Sequence, residues 1–387
     1  MEQVSVLSPY SKKSACPEKK IIVYDTTLRD GEQMPGIAFK PAQKLEIAHA
    51  LADVGVKEIE AGFPAVSASE RKAIKDIKDT TTARILGLAR CDPKDIEACA
   101  ACNIDLVLLF IATSDLHLRW KLRMSQNEVV ERARRAMKLA HDLGLKFCFS
   151  TEDTTRTHMD FLNEIYDTAL ECGAERIGIT DTVGCATPEG ISYLVGELKT
   201  RYHMPLSVHL HNDFGLACAN ALAALDAGAD AFAVTVMGIG ERAGNLALEQ
   251  FVMCAKYLRG MDTGIDTTKL PALAAIVSEH AKLQIPKNLP WLGENIFTHE
   301  SGIHALAVQQ NPFTYECVSP QVLGRQRKIL LGKHSGKGVL QAKLIQYGFR
   351  VDEKLLEEIL CEVKRIGEEK GYVDDRELIE IAKNKLS

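Results

Sequence analysis

From Ile21 to Gln33 the chain reads IIVYDTTLRDGEQ, a short apolar run that ends in acidic, basic and hydroxyl side chains. The apolar part is rich in β-branched and aromatic residues, which predicts a buried β-strand. In parallel α/β folds, ligands bind beyond the carboxyl ends of the strands. A strand whose C-terminal end is this polar therefore indicates such a fold, and the pattern should recur along the chain.

The pattern recurs eight times between residue 21 and about residue 259. Short apolar runs alternate with amphipathic stretches that begin at proline or end at glycine, which is typical of repeated β-α units. The predicted strands are 21–26, 56–60, 83–88, 104–110, 145–150, 176–180, 206–211 and 231–236, and the helices lie near 41–54, 67–78, 92–101, 127–143, 158–171, 188–201, 214–227 and 244–258. Eight units in about 240 residues predict an α/β fold, a closed (β/α)8 TIM barrel. No Gly-x-Gly-x-x-Gly follows a strand, which argues against an open dinucleotide-binding sheet.

The pattern changes on both sides of this region. Residues 1–20 lack apolar periodicity and are predicted to be a flexible N-terminal extension. We expect residues 21–260 to form the catalytic barrel, 261–300 to be a connecting arm, and 301–387 to form a smaller, mostly helical C-terminal subdomain. Charge-rich helices are predicted there at 352–369 and 374–386.

Composition narrows the class of function. A formal net charge of -5 and a pI near 6.2 give no reason to bind nucleic acid or an anionic membrane, so a small-molecule substrate is expected. No apolar run approaches the roughly 18 residues of a membrane span, and no secretory signal is apparent, which predicts a cytoplasmic protein. The eleven cysteines are scattered and are interpreted as reduced core thiols.

The predicted strand ends suggest a metal site. His209 and His211 are two residues apart on one strand, so both imidazoles project from the same face. Asp30 follows strand 1 and Asn245 follows strand 8, which lies between strands 7 and 1 once the barrel closes. These nitrogen and oxygen ligands suit a divalent metal such as Zn, Mn, Co or Fe, and Mg if water completes its shell.

Two further side chains follow strand 1 and are predicted to lie at the same end of the barrel as the metal site. An arginine beside a divalent metal suits an enolate or alkoxide oxygen, so Arg29 is interpreted as a substrate-binding and catalytic residue. A surface ion pair with Asp30 is the structural alternative for Arg29. Gln33 could position the same substrate oxygen, or it could stabilise the turn.

Five motifs carry a resemblance to a known family. They are Asp-Thr-Thr-Leu-Arg-Asp-Gly-Glu-Gln at 25–33, His-x-His-Asn-Asp at 209–213, Gly-Glu-Arg-Ala-Gly-Asn at 240–245, Phe-Thr-His-Glu-Ser-Gly-Ile-His at 297–304 and Leu-Gly-Lys-His-Ser-Gly at 331–336. Together they resemble the metal-dependent Claisen-condensing barrels, namely the homocitrate, 2-isopropylmalate and citramalate synthases, over about residues 21–350.

The resemblance implies roles for individual residues. Asp30, His209 and His211 would be metal ligands, with Asn245 bound directly or through water. Arg29 would hold the keto oxygen of a 2-oxo acid, and Thr182 would hold its carboxylate. His304 and Tyr315 match catalytic residues in the second unit of the family's enzymes, and would be catalytic here. In the family they reach over the barrel mouth of a partner subunit, which implies a homodimer.

The implied reaction is an acyl transfer in which the acetyl group of acetyl-CoA becomes an alkyl group on the product. The metal would polarise the keto carbon as a Lewis acid. A base would remove a methyl proton, the enolate would attack, and thioester hydrolysis would follow. We expect His304, together with Glu152 and Tyr315, to carry the proton transfers.

The identity of the 2-oxo acid stays open from the sequence. The segments Ser114–His117 and Gly260–Thr267, with the short tail, most resemble homocitrate synthases of nitrogen-fixing bacteria, which use 2-oxoglutarate. Lysine-pathway homocitrate synthases carry an arginine where this chain has Cys148, which weakens any prediction about the distal carboxylate. Oxaloacetate, as in Re-type citrate synthases, is therefore an alternative substrate. The 2-isopropylmalate and citramalate activities are further alternatives. A hydrophobic 2-oxo acid is less expected, because isopropylmalate synthases usually carry a further regulatory domain that the residues after 350 are too few to supply.

Two other classes of function compete with a synthase. A lyase that runs such a condensation backwards is disfavoured by the extended helical region that contains His304. A catalytically silent scaffold is disfavoured by the intact Asp30, His209, His211 and Arg29.

Overall fold

The computed structural model describes residues 8–11 and 18–386, and its centre is a closed barrel of eight parallel strands. The strands are β1 (Ile22–Asp25), β2 (Glu58–Gly62), β3 (Arg84–Arg90), β4 (Leu106–Ala112), β5 (Phe147–Glu152), β6 (Arg176–Asp181), β7 (Leu206–Leu210) and β8 (Ala231–Val234). Asp25 of β1 pairs with Ile59 of β2 on one side and with Val234 of β8 on the other, which closes the barrel. The predicted fold class is confirmed.

Helices follow the strands as the sequence predicts. They are α1 (Pro41–Asp53), α2 (Ala68–Thr80), α3 (Pro93–Ala101), α4 (Asp115–His117), α5 (Gln126–Asp142), α6 (Met159–Glu171), α7 (Pro188–Arg201), α8 (Ala217–Asp226), α9 (Leu248–Arg259) and α10 (Leu270–Ala281). Proline stands at the first position of α1, α3 and α7. The missing N–H of proline costs nothing at that position, because the first turn has no partner for it.

The structure adds a helical segment directly after β4 that the sequence pattern did not predict. The chain forms the short helix α4, capped by the Ser114 side chain, and then a π-helical turn over Leu118–Leu122. Arg123 ends the turn in the left-handed conformation, with φ 55°. A segment this short shows no apolar period, so its helical character is not visible in the sequence.

Apolar side chains fill the lower part of the barrel and the layer between strands and helices. Inside the barrel, a cluster is formed by Tyr24, Leu86, Leu106, Leu108, Cys148, Ala231 and Ala233. None of the ten described cysteines forms a disulfide bond, and the four in the barrel region that are fully buried are Cys91, Cys99, Cys102 and Cys148. Cys185, Cys317 and Cys361 are exposed, so the interpretation as core thiols does not extend to them.

Residues 285–386 form a separate compact unit. It contains α11 (Gly302–Gln310), α12 (Lys337–Gln346), α13 (Glu353–Lys370), α14 (Asp375–Leu386) and four short strands, β9 (Thr298–His299), β10 (Lys328–Ile329), β11 (Leu331–Gly332) and β12 (Tyr372–Val373). Strands β9 and β10 are parallel, and β11 and β12 are antiparallel. The core of this unit includes Leu340, Leu344, Ile359, Val363 and Leu378.

The other compact unit takes in the barrel and continues through α10 to residue 284. The predicted boundaries at 260 and 300 therefore stay predictions, as does the connecting arm. Much of the predicted extension, residues 1–7 and 12–17, lies outside the described residues. In its described part, Lys19 donates hydrogen bonds to the carbonyl oxygens of Gly228 and Ala229, at 2.6 and 3.0 Å.

Among the described residues, no helix is both long enough and apolar enough to span a bilayer.

Candidate active site

The loop after β1 presents Arg29 and Asp30 at the C-terminal end of the barrel. The carbonyl oxygen of Thr26 accepts hydrogen bonds from the backbone N–H groups of Arg29, Asp30 and Gly31, at 2.9–3.1 Å. This tight turn reverses the chain directly after the strand. Both charged side chains therefore lie where the ends of the parallel strands converge.

Asp30, His209 and His211 lie together at this end of the barrel. Their ligand atoms all fall within 4.8 Å of one another. The two Nε2 atoms are 3.2 Å apart, and the Nε2 of His209 is 3.6 Å from Oδ2 of Asp30. Two imidazole nitrogens and a carboxylate oxygen facing a common point are a ligand set for one divalent cation. These three residues therefore form a possible metal site, as the sequence predicted.

The protonation states suit this role. Burial would raise the pKa of Asp30, but the charge of Arg29 and the hydrogen bond from His209 outweigh it, so the pKa lies well below its ordinary value. Burial, with the nearby charge of His209, lowers the pKa of His211 to about 3. At neutral pH, Asp30 is anionic and His211 is neutral with a lone pair available. Metal ligands must be in these states.

Asn245 reaches the same cluster from the loop after β8. Its amide nitrogen donates to Oδ1 of Asp30 at 2.7 Å and to the carbonyl oxygen of Ile239 at 3.1 Å. The amide oxygen is buried and finds no hydrogen-bond partner among the described residues. A Cβ on Gly240 would lie 2.1 Å from the Asn245 amide nitrogen and 2.8 Å from Oδ1 of Asp30. An unpartnered oxygen and closely packed backbone fit residues that hold a cation.

Arg29 is held by two carboxylates. Its Nε and Nη2 donate to the two oxygens of Glu60 at 2.8 and 2.9 Å, and its Nη1 donates to Asp30 at 2.6 Å. Burial would lower the pKa of Arg29, yet the charges of Glu60 and Asp30 raise it above its ordinary value. The ion pair with Asp30 considered for Arg29 does form, but it is not on the surface, because the two side chains are only 13% and 4% exposed.

A cavity of about 330 Å³ opens above these residues. Arg29, Asp30, His209 and His211 line it together with the predicted substrate-binding residues Gln33 and Thr182. The Thr182 hydroxyl oxygen accepts a hydrogen bond from the backbone N–H of Asp153 at 2.8 Å, which leaves its proton free to be donated. Apolar cavity walls are supplied by Tyr24, Phe63, Leu88, Leu108 and Phe110.

Glu152, the last residue of β5, lies on the same cavity. Both of its oxygens accept hydrogen bonds from Nζ of Lys121, at 2.5 and 2.7 Å. Nδ1 of His117 is 3.5 Å from one Glu152 oxygen. In the closed strand order β5 lies opposite β1, so this acid–base group is on the opposite side of the barrel from Asp30.

His304 and Tyr315 lie together in the C-terminal unit. Their ring centroids are 4.0 Å apart, with an angle of 31° between the ring planes. His304 is exposed and Tyr315 is 47% exposed, so both side chains are accessible on the surface of that unit. A purely structural role for Tyr315 as a buried aromatic residue is therefore contradicted by its exposure.

Two buried carboxyls support the loops that carry the metal-site residues. Asp25 accepts hydrogen bonds from the backbone and hydroxyl of Thr27, whose hydroxyl oxygen accepts one from the Val236 N–H at 2.9 Å. Glu249, on α9, accepts a hydrogen bond from the backbone N–H of Met237 at 3.1 Å. Burial raises the pKa of Asp25 and of Glu249 to about 7.

Sequence reasoning missed three residues of this site. Glu60 was placed in a predicted strand, but its partnership with Arg29 depends on which strands become neighbours. Lys121 belongs to the helical turn that was not predicted, and Arg242 binds the carbonyl oxygen of Thr182 and the Asp213 carboxylate. A charged residue at the C-terminal end of a predicted barrel strand was the available signal for Glu60.

Comparison with protein families gives two matches. The family described as HMGL-like matches residues 20–277, and the family described as homocitrate synthase post-HMGL domain-like matches residues 292–371.

Individual relatives match over nearly the whole chain. A protein named homocitrate synthase AksA from Methanopyrus kandleri is 48% identical over 384 residues, which cover 98% of this chain and 96% of that relative. A putative (R)-citramalate synthase CimA from the same organism is 45% identical over 375 residues, which cover 96% of this chain and 74% of the relative. Among solved structures, the HMG-CoA lyase of Bacillus subtilis matches with a TM-score of 0.63 at 20% identity, over 69% of this chain and 96% of that one, and supports the fold alone.

Proposed function

Because this chain belongs to the HMGL-like family, in the group of homocitrate, citramalate and 2-isopropylmalate synthases, we propose that it condenses acetyl-CoA with 2-oxoglutarate and water to give homocitrate and CoA. The observation that carries the proposal is the cavity. On one side lie a set of metal ligands and an arginine, and on the other lies a carboxylate base. The relatives named homocitrate synthase match nearly full length, at 44–48% identity.

Asp30, His209 and His211 would hold the metal, with Asn245 as a further oxygen ligand. A bound Mg, Mn, Zn or Co ion supplies Lewis acidity that makes a keto carbon more electrophilic. Arg29 donates to the developing alkoxide oxygen, because its guanidinium lies beside Asp30 and is fixed by Glu60. The hydroxyl of Thr182 donates to the carboxylate of the 2-oxo acid, and Gln33 orients the same end of the substrate.

The proton transfers belong to Glu152, His304 and Tyr315. Glu152 lines the cavity, where it would take a proton from the acetyl methyl group. The adjacent rings of His304 and Tyr315 form an acid–base pair on the C-terminal unit. We expect a homodimer in which this pair serves the barrel of the partner subunit. The cytoplasmic location and the link to nitrogen fixation also stay predictions.

Two other kinds of 2-oxo acid are alternative substrates for this cavity. The walls formed by Leu88, Leu108 and Phe110 would accept an apolar side chain, and a relative named citramalate synthase is 45% identical. Cys148 is buried and brings no cation to a distal carboxylate. Oxaloacetate, which has one methylene fewer than 2-oxoglutarate, is therefore the main competitor among dicarboxylates.

A substrate panel tests the proposal. Purified protein would be incubated with Mn²⁺, acetyl-CoA and, in separate reactions, 2-oxoglutarate, oxaloacetate, pyruvate and 2-oxoisovalerate. CoA release and product mass would be measured, with His209→Ala as the inactive control. We expect the highest kcat/KM for 2-oxoglutarate. A preference for 2-oxoisovalerate would contradict the homocitrate assignment.

A further inference from the structure

The pair formed by Lys121 and Glu152 is unlike the other ion pairs of the cavity. Lys121 lies on the helical turn after β4, half exposed, while Glu152 is 17% exposed at the end of β5. Among the described residues, Nζ of Lys121 contacts only the two oxygens of Glu152. An ammonium group has three donor hydrogens, so one is left for a further acceptor in the cavity.

The two arginines that line the cavity lie in the loops after β1 and β8, on the side of the metal ligands. Arg29 donates to both oxygens of Glu60 and to Asp30, at the wall that carries the metal ligands. Arg242 donates to both oxygens of Asp213 and to the carbonyl oxygen of Thr182. Among the described residues that line the cavity, Lys121 is therefore the cationic side chain on the side that faces Asp30.

This arrangement fits the step that activates the acetyl group. We propose that Lys121 is a catalytic residue that holds the thioester oxygen of acetyl-CoA while Glu152 removes a proton from the neighbouring methyl group, an inference that rests on the proposed function. The acceptor ketone then lies toward β1 and β7, and the activated acetyl group lies toward β4 and β5. The two reacting carbons would approach each other across the cavity.

The step balances in atoms and charge. A C–H bond of the methyl group breaks, its proton passes to the Glu152 carboxylate, and the electron pair gives an enolate whose negative charge lies on the thioester oxygen. The enolate carbon then bonds to the keto carbon as the thioester carbonyl re-forms, and the keto oxygen becomes an alkoxide that takes its proton from the His304–Tyr315 pair of the proposed function, while Glu152 returns its proton to water. Water supplied as the third substrate hydrolyses the thioester.

Lys121 lowers the barrier because the negative charge stays beside it. Before the transfer the charge is on Glu152, within 2.7 Å of Nζ. After the transfer Glu152 is neutral and the charge is on the enolate oxygen, which the same ammonium group contacts. A fixed donor aimed at developing charge contributes more than one in water, and removing such a donor costs about 10²–10³ in kcat.

His117 lies next to this pair without taking its place. Its Nδ1 is 3.5 Å from a Glu152 oxygen, and its Nε2 is 3.9 Å from the buried carboxylate of Asp153. The Nδ1 atom is buried and makes no hydrogen bond among the described residues. His117 is therefore a neighbour of Glu152 without a hydrogen bond to it, while Lys121 donates to both Glu152 oxygens.

The test uses the metal-loaded, full-length protein and the variants Lys121→Met and Lys121→Arg. Turnover would be measured with acetyl-CoA and with acetyl-CoA deuterated on the methyl group. For Lys121→Met we expect kcat to fall by about 10²–10³ and the deuterium isotope effect to increase, because proton removal becomes slower. Lys121→Arg should recover part of the rate, since it restores a cationic donor. Metal content and 2-oxo acid affinity should stay unchanged.

Lys269→Met is the matched control, because Lys269 is 42% exposed and pairs with Asp53 away from the cavity. It should keep the full rate. The inference is overturned if Lys121→Met keeps the full rate, or if it loses turnover with no increase in the isotope effect. If the unaltered protein releases no CoA with any 2-oxo acid, the proposed function itself fails.

Discussion

At the residue scale, the site depends on a few ionisable groups that the barrel holds away from water. Arg29 keeps Asp30 anionic, and burial keeps His211 neutral, so both are ready to bind a cation. Asp25 and Glu249 are different, because burial raises the pKa of each carboxyl and no cation balances it. Ionisation of these two carboxyls therefore lowers the free energy of unfolding, although both side chains support the loops that carry the site.

Glu249→Gln should reveal this cost through its pH dependence. In the unfolded chain Glu249 titrates near its ordinary value of 4.5, and in the folded chain near 7. Between these values the folded state binds more protons than the unfolded state, so the contribution of Glu249 to stability falls as the pH rises. Glutamine has no charge to lose and still accepts the hydrogen bond from Met237.

Urea unfolding at about pH 4 and about pH 8 checks the prediction. Relative to the unaltered protein, Glu249→Gln should gain stability at the higher pH and little at the lower pH. Glu97→Gln, at an exposed position on α3, serves as the control and should show no such difference. Equal changes at both pH values for Glu249→Gln would contradict the interpretation.

Single residues were predictable where one strand or one loop holds them. His209 and His211 share a strand, so their spacing alone put both imidazoles on one face. The contact between Glu60 and Arg29 joins two different strands, so it cannot be predicted from the spacing of residues within one segment. Lys121 could not be paired with Glu152 because its helical turn is too short to leave a period in the sequence.

At the scale of elements, the loops after β1, β7 and β8 are joined to one another. His211 forms an isolated bridge with Asn245, and the backbone N–H of Asn212 donates to the carbonyl oxygen of Gly244 at 3.0 Å. Gly240 has φ +155°, and its α-carbon lies against the side chains of Asn245 and Asp30. The geometry of the metal ligands is therefore set by loop backbone as well as by the strands.

Gly240→Ala should disrupt the site while leaving the barrel folded. The new methyl group would lie 2.1 Å from the Asn245 amide nitrogen, so Asn245 and Asp30 would have to move. We expect Mn²⁺ affinity to fall by about 10–100-fold, the effect typical of losing a group that orients metal ligands. Isothermal titration calorimetry would measure it.

Gly144→Ala is the control for the backbone cost alone. Gly144 also has positive φ, at +71°, but a Cβ there would meet nothing within 4 Å. Its Mn²⁺ affinity should match that of the unaltered protein. Unchanged affinity in Gly240→Ala would mean that the loop does not set the ligand geometry.

The order of elements was predictable, and their boundaries were less so. Strand β2 was predicted at 56–60 and lies at Glu58–Gly62, and β5 was predicted at 145–150 and lies at Phe147–Glu152. For β2 the apolar run begins before the strand, because Val56 is already buried where the chain enters the barrel. Burial alone does not tell a buried loop from a strand.

At the scale of the whole molecule, the proposed catalytic groups are divided between two compact units. The metal ligands, Arg29 and Glu152 belong to the barrel, whereas His304 and Tyr315 belong to residues 285–386. If the second pair serves the partner subunit, each active site needs two chains. A site shared between two chains is what the resemblance implies, and no local sequence pattern predicts it.

Mixing two inactive variants tests the shared site. His209→Ala lacks a metal ligand and His304→Ala lacks the proposed acid–base group, so each homodimer should be inactive. A dimer with one chain of each kind would contain one complete site. Co-expression should therefore restore about a quarter of the unaltered activity if the chains assort at random. No recovery, despite dimers that contain both chains, would place each site within a single chain.

The central claim is that Asp30, His209 and His211 share one divalent cation. The most direct test is to strip the protein with a chelator, titrate it with Mn²⁺, and measure bound metal and turnover for the unaltered chain and for His209→Ala, with circular dichroism to check the fold. We expect one ion per unaltered chain, with turnover that is lost on stripping and returns on titration, and a folded His209→Ala that binds at least about 10-fold more weakly and stays inactive. A His209→Ala variant that binds Mn²⁺ as tightly as the unaltered chain, or that keeps its turnover, would contradict the account.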